Sequence, residues 1–172
     1  KETYKYIKKI NNALDDSIIS QLTNSVLTYS DLITNRKTDY KFDIEKFTNI
    51  NGKTGIYVQY SQVRANKLLE NIEIKNSTLN DLILNDIDRK LLSKLYLFSY
   101  FLEQSALLNE PHHLANYLYE ISNLFNQFYE SEKILEIDDS KHLSSKMYIA
   151  NLFLSTSHNV MWCLGISPVN KM

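Results

Sequence analysis

Apolar residues recur at helical spacing along most of the chain. Residues 2–13 predict a short basic amphipathic helix. Asp15 and Asp16 can cap a second helix, because carboxylates accept hydrogen bonds from the free N–H groups of a first turn. The apolar stripe of that helix is formed by Ile18, Leu22, Val26 and Tyr29. A third helical pattern runs from Ile56 to Leu68.

The second half of the chain carries longer apolar stripes. The wide apolar stripe of residues 88–108 predicts one helix that is buried on more than one side. Pro111 predicts the next helix start, since proline is tolerated in a first turn. The core positions of this helix are predicted at Leu114, Leu118, Ile121, Phe125 and Phe128. Residues 138–140 can cap a last helix, and Gly165 stands where a C′ glycine would end it.

Polar stretches separate these helices. Residues 35–54 interrupt the helical period and include Gly52, so we expect a connector with a short turn and a domain boundary there. The predicted units are 1–54, a helical lead-in, and 55–172, a helical bundle. A second polar linker is expected near 75–77, with Ser77 or Thr78 capping the next helix. Only three glycines and two prolines are present, too few for the turns of a β-rich protein, so the predicted fold class is all-α.

The net charge of the chain limits the kinds of partner that it can bind. The chain has 19 basic and 20 acidic residues, and its formal net charge is -1. Proteins that depend on nonspecific attraction to phosphates are usually clearly basic, so RNA would be bound here through unstacked bases on aromatic rings. Twelve tyrosines supply such rings. One cysteine cannot form an internal disulfide, and no apolar run is long enough to span a bilayer, so we expect a cytoplasmic protein without membrane contact.

No motif in the sequence predicts chemistry. Gly52-Lys53-Thr54 is similar to the end of a phosphate-binding loop, but Phe47 stands where that loop needs glycine. His112 and His113 are adjacent, and adjacent side chains on a helix diverge by about 100°, which argues against a shared metal ion. No glycine-flanked serine elbow is present. We therefore predict no catalytic, cofactor-binding or metal-binding residue in this chain.

Three segments of the chain have a distinctive combination of residues. They are 28–43, Thr54-Gly55-Ile56-Tyr57-Val58-Gln59-Tyr60 continuing to Arg64, and Glu110-Pro111-His112-His113 continuing to Tyr129. Together they resemble arginyl-tRNA synthetases, and the resemblance extends from about Tyr29 to Met172. The ending Leu164-Gly165-Ile166-Ser167-Pro168-Val169-Asn170-Lys171-Met172 is the most specific of the matches. One departure is Lys171, at a position where arginine is common in the family.

The resemblance implies a part of a class I ligase that charges arginine tRNA with arginine, using ATP. The ATP-handling motifs of that class are absent, so we expect this chain alone to be inactive and its helical domain to hold the anticodon loop. The resemblance implies that residues 1–54 are the C-terminal end of the catalytic region and a connector, and that residues 55–172 are the anticodon-binding bundle. By resemblance, the residues near anticodon bases are Tyr57, Tyr60, Tyr129 and Met172. Arg64 can reach a phosphate or pair with an acid inside the bundle, and Asn116 and Gln127 can contact a base edge or face solvent.

The resemblance also implies partners. These are the anticodon loop of the arginine tRNA and the catalytic domain of the same polypeptide, in a protein that we expect to be a monomer. Two alternatives remain at the level of the sequence. The first is a helical protein–protein docking domain, whose aromatic stripe receives a partner helix. The second is the related helical domain of another class I synthetase or of a glycyl enzyme.

Overall fold

The computed structural model describes residues 1–70 and 82–172, and in these ranges it contains helices but no strand. The helices are α1 (Glu2–Ile10), α2 (Asp16–Ile33), α3 (Ile44–Phe47), α4 (Gly55–Leu69), α5 (Asp86–Tyr96), α6 (Phe98–Leu108), α7 (His112–Ser131) and α8 (Ser140–Cys163), with a 3-10 turn at Ile134–Glu136 before α8. The predicted all-α class is confirmed. The linker expected near 75–77 and the caps at Ser77 or Thr78 lie outside the described residues.

The main hydrophobic core lies between α4, α5, α7 and α8. Every predicted core position of α7 is buried, from Leu114 to Phe128. The ring of Phe125 stacks on that of Phe153 from α8, with centroids 4.1 Å apart and planes 8° from parallel. These contacts align α7 with α8, so the exposed face of α7 has a defined position.

A second, smaller core joins the lead-in helices to α4. Its buried members are Ile7, Ile19, Leu22, Val26, Ile56, Val63 and Val169. Helix α4 contributes residues to both cores, because Val58 and Leu68 belong to the main one. The two predicted units therefore pack against each other through shared apolar contacts. The boundary between residues 54 and 55 stays a prediction.

The first residue of α4 lies unusually close to α2. A Cβ atom added at Gly55 would lie 2.5 Å from the carbonyl oxygen of Ser25 and 2.9 Å from the backbone nitrogen of Val26. Both neighbours are backbone atoms, so they cannot move aside as a side chain can. Glycine at this position therefore permits the close approach of the two helices.

The predicted capping of α2 is wrong, because the Asp15 side chain accepts no hydrogen bond from the first turn and Asp16 pairs with Lys8. The two predicted ends of α8 are confirmed. Asp139 caps α8 by accepting a hydrogen bond from His142 N. Gly165 has φ +70 after the end of α8, where the Ile166 N–H donates to Met161 O and the Gly165 N–H to Trp162 O. This pair of bonds is a Schellman motif, which satisfies carbonyls that a helix end leaves free. The predicted glycine stop is confirmed.

The prediction of one helix over 88–108, buried on more than one side, is wrong. The segment breaks at Leu97 into α5 and α6, and α6 has no buried residue. The break lets Phe98 and Phe101 pack beside the Tyr117 ring, at centroid distances of 6.3 and 4.8 Å. The opposite face of α6 stays in solvent, so its apolar composition does not correspond to burial.

One ion pair is completely buried where α5 meets α8. The Lys146 ammonium lies 2.7 and 2.8 Å from the two carboxylate oxygens of Asp88, and both side chains are fully buried. Asp88 also accepts from the Asn85 N–H and so takes part in the capping box of α5. The pair therefore attaches the start of α5 to α8.

Candidate nucleic-acid interface

A pocket of about 320 Å³ lies on the surface between α4 and α7. Its lining residues are Ile50, Asn51, Tyr57, Tyr60, Arg64, Asn123, Asn126, Gln127 and Glu130. The helical spacing of Tyr57, Tyr60 and Arg64 places them on one face of α4. Most of the lining is aromatic or carboxamide, and Arg64 and Glu130 are the charged members among the described residues.

The Arg64 guanidinium lies between two tyrosine rings. Its carbon is 4.4 Å from the ring centroid of Tyr60 and 4.9 Å from that of Tyr129. A guanidinium is flat and weakly hydrated, so it stacks on phenol rings with little loss of hydration. Arg64 therefore connects the α4 tyrosines to the tyrosine near the end of α7.

Hydrogen bonds hold this guanidinium in place. Arg64 Nη1 donates to Glu130 Oε1 at 2.7 Å and to Asn126 Oδ1 at 3.2 Å. The Asn126 amide in turn donates to Ser61 Oγ at 2.9 Å, which fixes the amide orientation. Burial alone lowers the pKa of Arg64, but Glu130 and Tyr60 raise it by more, so the net shift is upward and the charge is retained.

Tyr57 extends the aromatic surface towards the start of α7. Its hydroxyl donates to Asn123 Oδ1 at 3.2 Å, and its ring lies 5.5 Å from that of Tyr119. Burial raises the pKa of the Tyr57 phenol, so the hydroxyl stays protonated and able to donate near neutral pH. Lys53 Nζ lies 5.4 Å from the centre of the Tyr119 ring, which continues the surface with a cation.

The structure brings together four of the six site residues expected from the sequence. Tyr57, Tyr60 and Arg64 line the pocket, and Tyr129 lies against Arg64. All four are half-buried, so each keeps part of its side chain accessible. Their contact with RNA stays a prediction.

Asn116 and Met172 lie outside this pocket. Asn116 Oδ1 accepts from Lys53 Nζ at 2.8 Å, and Asn116 Nδ2 donates to His112 O at 2.8 Å. Met172 packs against the second core with half-buried exposure. Their roles in binding RNA also stay predictions.

Sequence reasoning missed three polar residues that α7 contributes to the pocket. Asn123, Asn126 and Glu130 bind the tyrosine hydroxyl or the guanidinium of the residues expected from the sequence. Their spacing along α7 places them beside Tyr129 and could have indicated them. The pairing with α4, which gives them a role, depends on tertiary packing that no local pattern shows.

The chemistry of the pocket suits bases better than phosphates. Arg64 and Glu130 compensate each other's charge, while the carboxamides of Asn51, Asn123 and Gln127 offer both donors and acceptors. Base edges carry the same kinds of group, and tyrosine rings stack on base faces. The neighbouring pocket, across Tyr129, is lined by three carboxylates and by Lys133. Each carboxylate has a basic partner: Glu130 pairs with Arg64, Glu132 with Lys146 and Glu136 with Lys133.

The two adjacent histidines lie closer together than helical geometry predicts. The His112 and His113 ring centroids are 4.2 Å apart, because His112 is the first residue of α7 rather than an interior one. One donor atom from each of Glu110, His112 and His113 lies within 4.8 Å of the others. Lys37 already pairs with Glu110 at 3.4 Å, and His113 Nε2 lies 3.2 Å from the same carboxylate. The prediction that the two rings diverge is therefore wrong.

Within the described residues, none of the helices has the length and apolar character that crossing a bilayer requires.

This chain is similar in sequence and in fold to known proteins. The arginine–tRNA ligases of Alkaliphilus oremlandii and Alcanivorax borkumensis are each 31% identical to this chain, over 169 and 175 residues. The matches cover 94% and 98% of this chain but 29% and 30% of those relatives. The chain thus spans less than a third of their length.

Solved structures show the same fold. The arginyl-tRNA synthetase of Thermus thermophilus superposes with a TM-score of 0.88 at 20% identity, covering 99% of this chain and 30% of that one. The synthetase of Plasmodium falciparum gives 0.82 at 24% identity, covering 99% and 31%. The model of the family described as DALR anticodon binding domain matches residues 58–172, which include most of α4 and all of α7. The chain therefore belongs to the DALR anticodon binding domain family.

Proposed function

We propose that the pocket between α4 and α7 binds unstacked bases of the anticodon loop of an arginine tRNA. The observation that carries this proposal is that Tyr57, Tyr60 and Arg64 line this pocket beside a row of carboxamides. The Tyr129 ring lies outside the lining and packs against the Arg64 guanidinium. Stacking of a base on an aromatic side chain contributes about 1–3 kcal/mol per base. Two such contacts would support binding without a basic surface.

Each group in the pocket has a role in this proposal. The tyrosine rings stack on bases, and the Asn123 and Gln127 amides contact base edges. Arg64 is a positioning residue that keeps Tyr60 and Tyr129 at a fixed separation. Asn116 would act next to the pocket, through its contact with Lys53, and Met172 would support the α4 surface from the second core.

We infer a role for this chain within a longer ligase from the similarity to arginine–tRNA ligases. In that protein, activation of arginine with ATP and its transfer to tRNA would belong to a catalytic domain of the same polypeptide, in a cytoplasmic monomer. The residues of this chain would orient the tRNA. We expect the 172-residue chain to catalyse no arginine-dependent pyrophosphate exchange, which a radiolabel exchange assay checks directly.

Titration of the chain with an arginine-tRNA anticodon stem-loop tests the proposed function. A stem-loop with a scrambled anticodon is titrated as the comparison, and both titrations are made at the same low salt concentration. We expect tighter binding to the cognate loop, and we expect Tyr129→Ala to reduce the binding free energy by about 1–3 kcal/mol, the contribution of one stacked base. A variant without Met172 shows whether the last residue contributes.

Tyr148→Ala is the matched control, since Tyr148 is also half-buried against the main core but does not lie against Arg64 as Tyr129 does. Circular dichroism of each variant confirms that the bundle is intact. Equal binding of cognate and scrambled loops by the unmodified chain would contradict the proposed function.

A second candidate function, protein docking, is favoured by the α5–α6 surface. Tyr96 is 88% exposed and Leu107 is 69% exposed. Large apolar side chains that are exposed together on a protein surface often mark an interaction site. The occupant that fits the similarity to longer ligases is another domain of the same polypeptide. Leu107→Glu should leave binding of the stem-loop unchanged under the anticodon proposal, whereas loss of binding would connect this surface to RNA instead.

A further inference from the structure

A second pocket, of about 580 Å³, lies beside the tyrosine pocket and differs from it in charge. Its lining residues are Ile33, Thr34, Tyr40, Lys41, Lys46, Phe47 and Lys53. Three of these described residues are lysines and none is a carboxylate. The pocket therefore concentrates positive charge in a chain whose formal net charge is -1.

Aromatic side chains pack against one another on one side of this pocket. The Phe47 ring stacks on Phe42 at 5.3 Å and meets Tyr40 edge-on at 5.8 Å. Lys46 Nζ lies 5.9 Å from the Phe47 ring centre. Two carboxylates lie near this pocket and keep their charge. Asp31 accepts from the Tyr40 hydroxyl and Asp43 caps α3 by accepting from Lys46 N, and among the described residues neither forms an ion pair with a lysine of the pocket.

The two pockets are connected by one turn of the chain and one aromatic contact. Ile50 and Asn51 line the tyrosine pocket, whereas Lys53, two residues later, lines the lysine pocket. The Lys53 ammonium also lies over Tyr119, whose ring contacts Tyr57. A ligand that extends from Tyr57 past Tyr119 would therefore reach the lysines.

We propose that Lys41, Lys46 and Lys53 form a binding site for backbone phosphates of the RNA strand whose bases occupy the tyrosine pocket. The inference rests on the proposed function. Lysine binds phosphate as a mobile point charge and does not impose the geometry of a guanidinium. The lysine pocket thus adds affinity without sequence preference, and the tyrosine pocket adds the preference.

The separate roles of the two pockets explain how a chain with a slight negative net charge would bind RNA. In the tyrosine pocket Arg64 is paired with Glu130, so it supplies little attraction for phosphate at a distance. The Lys53 ammonium, in contrast, contacts two uncharged groups, Asn116 Oδ1 and the Tyr119 ring. Its charge is not cancelled by those contacts.

The test is the salt dependence of stem-loop binding by the chain and by Lys41→Ala/Lys46→Ala. Lys53 is left in place because it contacts Asn116 and Tyr119 beside the tyrosine pocket. Each lost phosphate contact lowers the slope of log affinity against log salt by about 0.7 on a single strand. We expect the double variant to lose a slope of roughly one to one and a half, and to bind cognate and scrambled loops more weakly by the same factor.

Lys90→Ala/Lys141→Ala is the control, because it removes the same charge from exposed positions on α5 and α8. An unchanged slope in Lys41→Ala/Lys46→Ala, with loop preference intact in the unmodified chain, would overturn this inference and leave the proposed function standing. Absence of cognate preference in the unmodified chain would overturn both. An equal loss of slope in Lys90→Ala/Lys141→Ala would identify a general effect of net charge and also overturn the inference.

Discussion

Arg64 shows at the scale of a single residue how the pocket is organised. Its guanidinium makes two ring contacts and two hydrogen bonds, and Asn126 and Glu130 on α7 provide the hydrogen-bond acceptors. Only a flat cation with several fixed donors can satisfy both rings and both acceptors together. The consequence is that Tyr60 and Tyr129 are ordered before any ligand arrives, which lowers the entropic cost of binding.

Arg64→Lys should therefore weaken binding of the cognate stem-loop although the charge is kept. The ammonium cannot stack between two rings or bind both acceptors, so we expect a loss of about 1–2 kcal/mol in binding free energy, the scale of one cation–π contact in a desolvated setting. Isothermal titration calorimetry measures it. The control is Arg89→Lys, the same substitution at an exposed position of α5. Equal affinity of Arg64→Lys and the unmodified chain would contradict the positioning role.

At the scale of elements, α4 is the helix on which the arrangement depends. It contributes to both cores, carries three pocket residues and touches α2 through Gly55. The buried carboxamide of Gln59 adds a further connection, since it donates to Ser25 Oγ and Ser167 O and accepts from the Val169 N–H. A shift of α4 would therefore move both the lead-in helices and the tyrosines.

Gly55→Ala tests this close approach. The added methyl would collide with the backbone at Ser25, and overpacking of this kind costs about 1–3 kcal/mol in the free energy of unfolding. Urea denaturation followed by circular dichroism gives the difference. Ser20→Ala, at an exposed position of α2, should change stability by less than about 0.5 kcal/mol. Unchanged stability of Gly55→Ala would show that α2 and α4 leave room for a methyl group at their contact.

Lys146→Met tests the junction of α5 and α8. The substitution leaves the Asp88 carboxylate buried without its cation, and breaking such a pair costs about 3–5 kcal/mol. Lys133→Met is the comparison, because the Lys133–Glu136 pair is exposed and pairs of that kind contribute about 0–1 kcal/mol. Thermal unfolding of both variants provides the measurement, and equal melting temperatures would refute a stabilising role of the buried pair.

The sequence predicts the helices better than the packing contacts between them. The stripe from Leu114 to Phe128 and the glycine stop at Gly165 are local features, and both are confirmed. The break at Leu97 is not local, because it depends on how Phe98 and Phe101 meet Tyr117. For the site, resemblance and helical spacing indicate the tyrosines and Arg64, while the α7 partners of Arg64 require the packing of α4 on α7.

At the scale of the whole molecule, aromatic and cationic groups are placed in neighbouring regions with different tasks. The tyrosine pocket is nearly neutral, the lysine pocket is cationic, and the pocket beyond Tyr129 is acidic. An RNA strand whose bases occupy the tyrosine pocket would therefore be attracted towards the side of the lysines.

Nuclease footprinting of an intact arginine tRNA in the presence of this chain decides whether the tyrosine pocket holds the anticodon loop. We expect protection confined to the anticodon loop and the adjoining backbone. The loop protection should be lost in Tyr129→Ala, while Tyr148→Ala behaves as the unmodified chain. Protection elsewhere in the tRNA with the anticodon loop still cleaved, or protection that survives in Tyr129→Ala, would contradict the proposed role of the pocket.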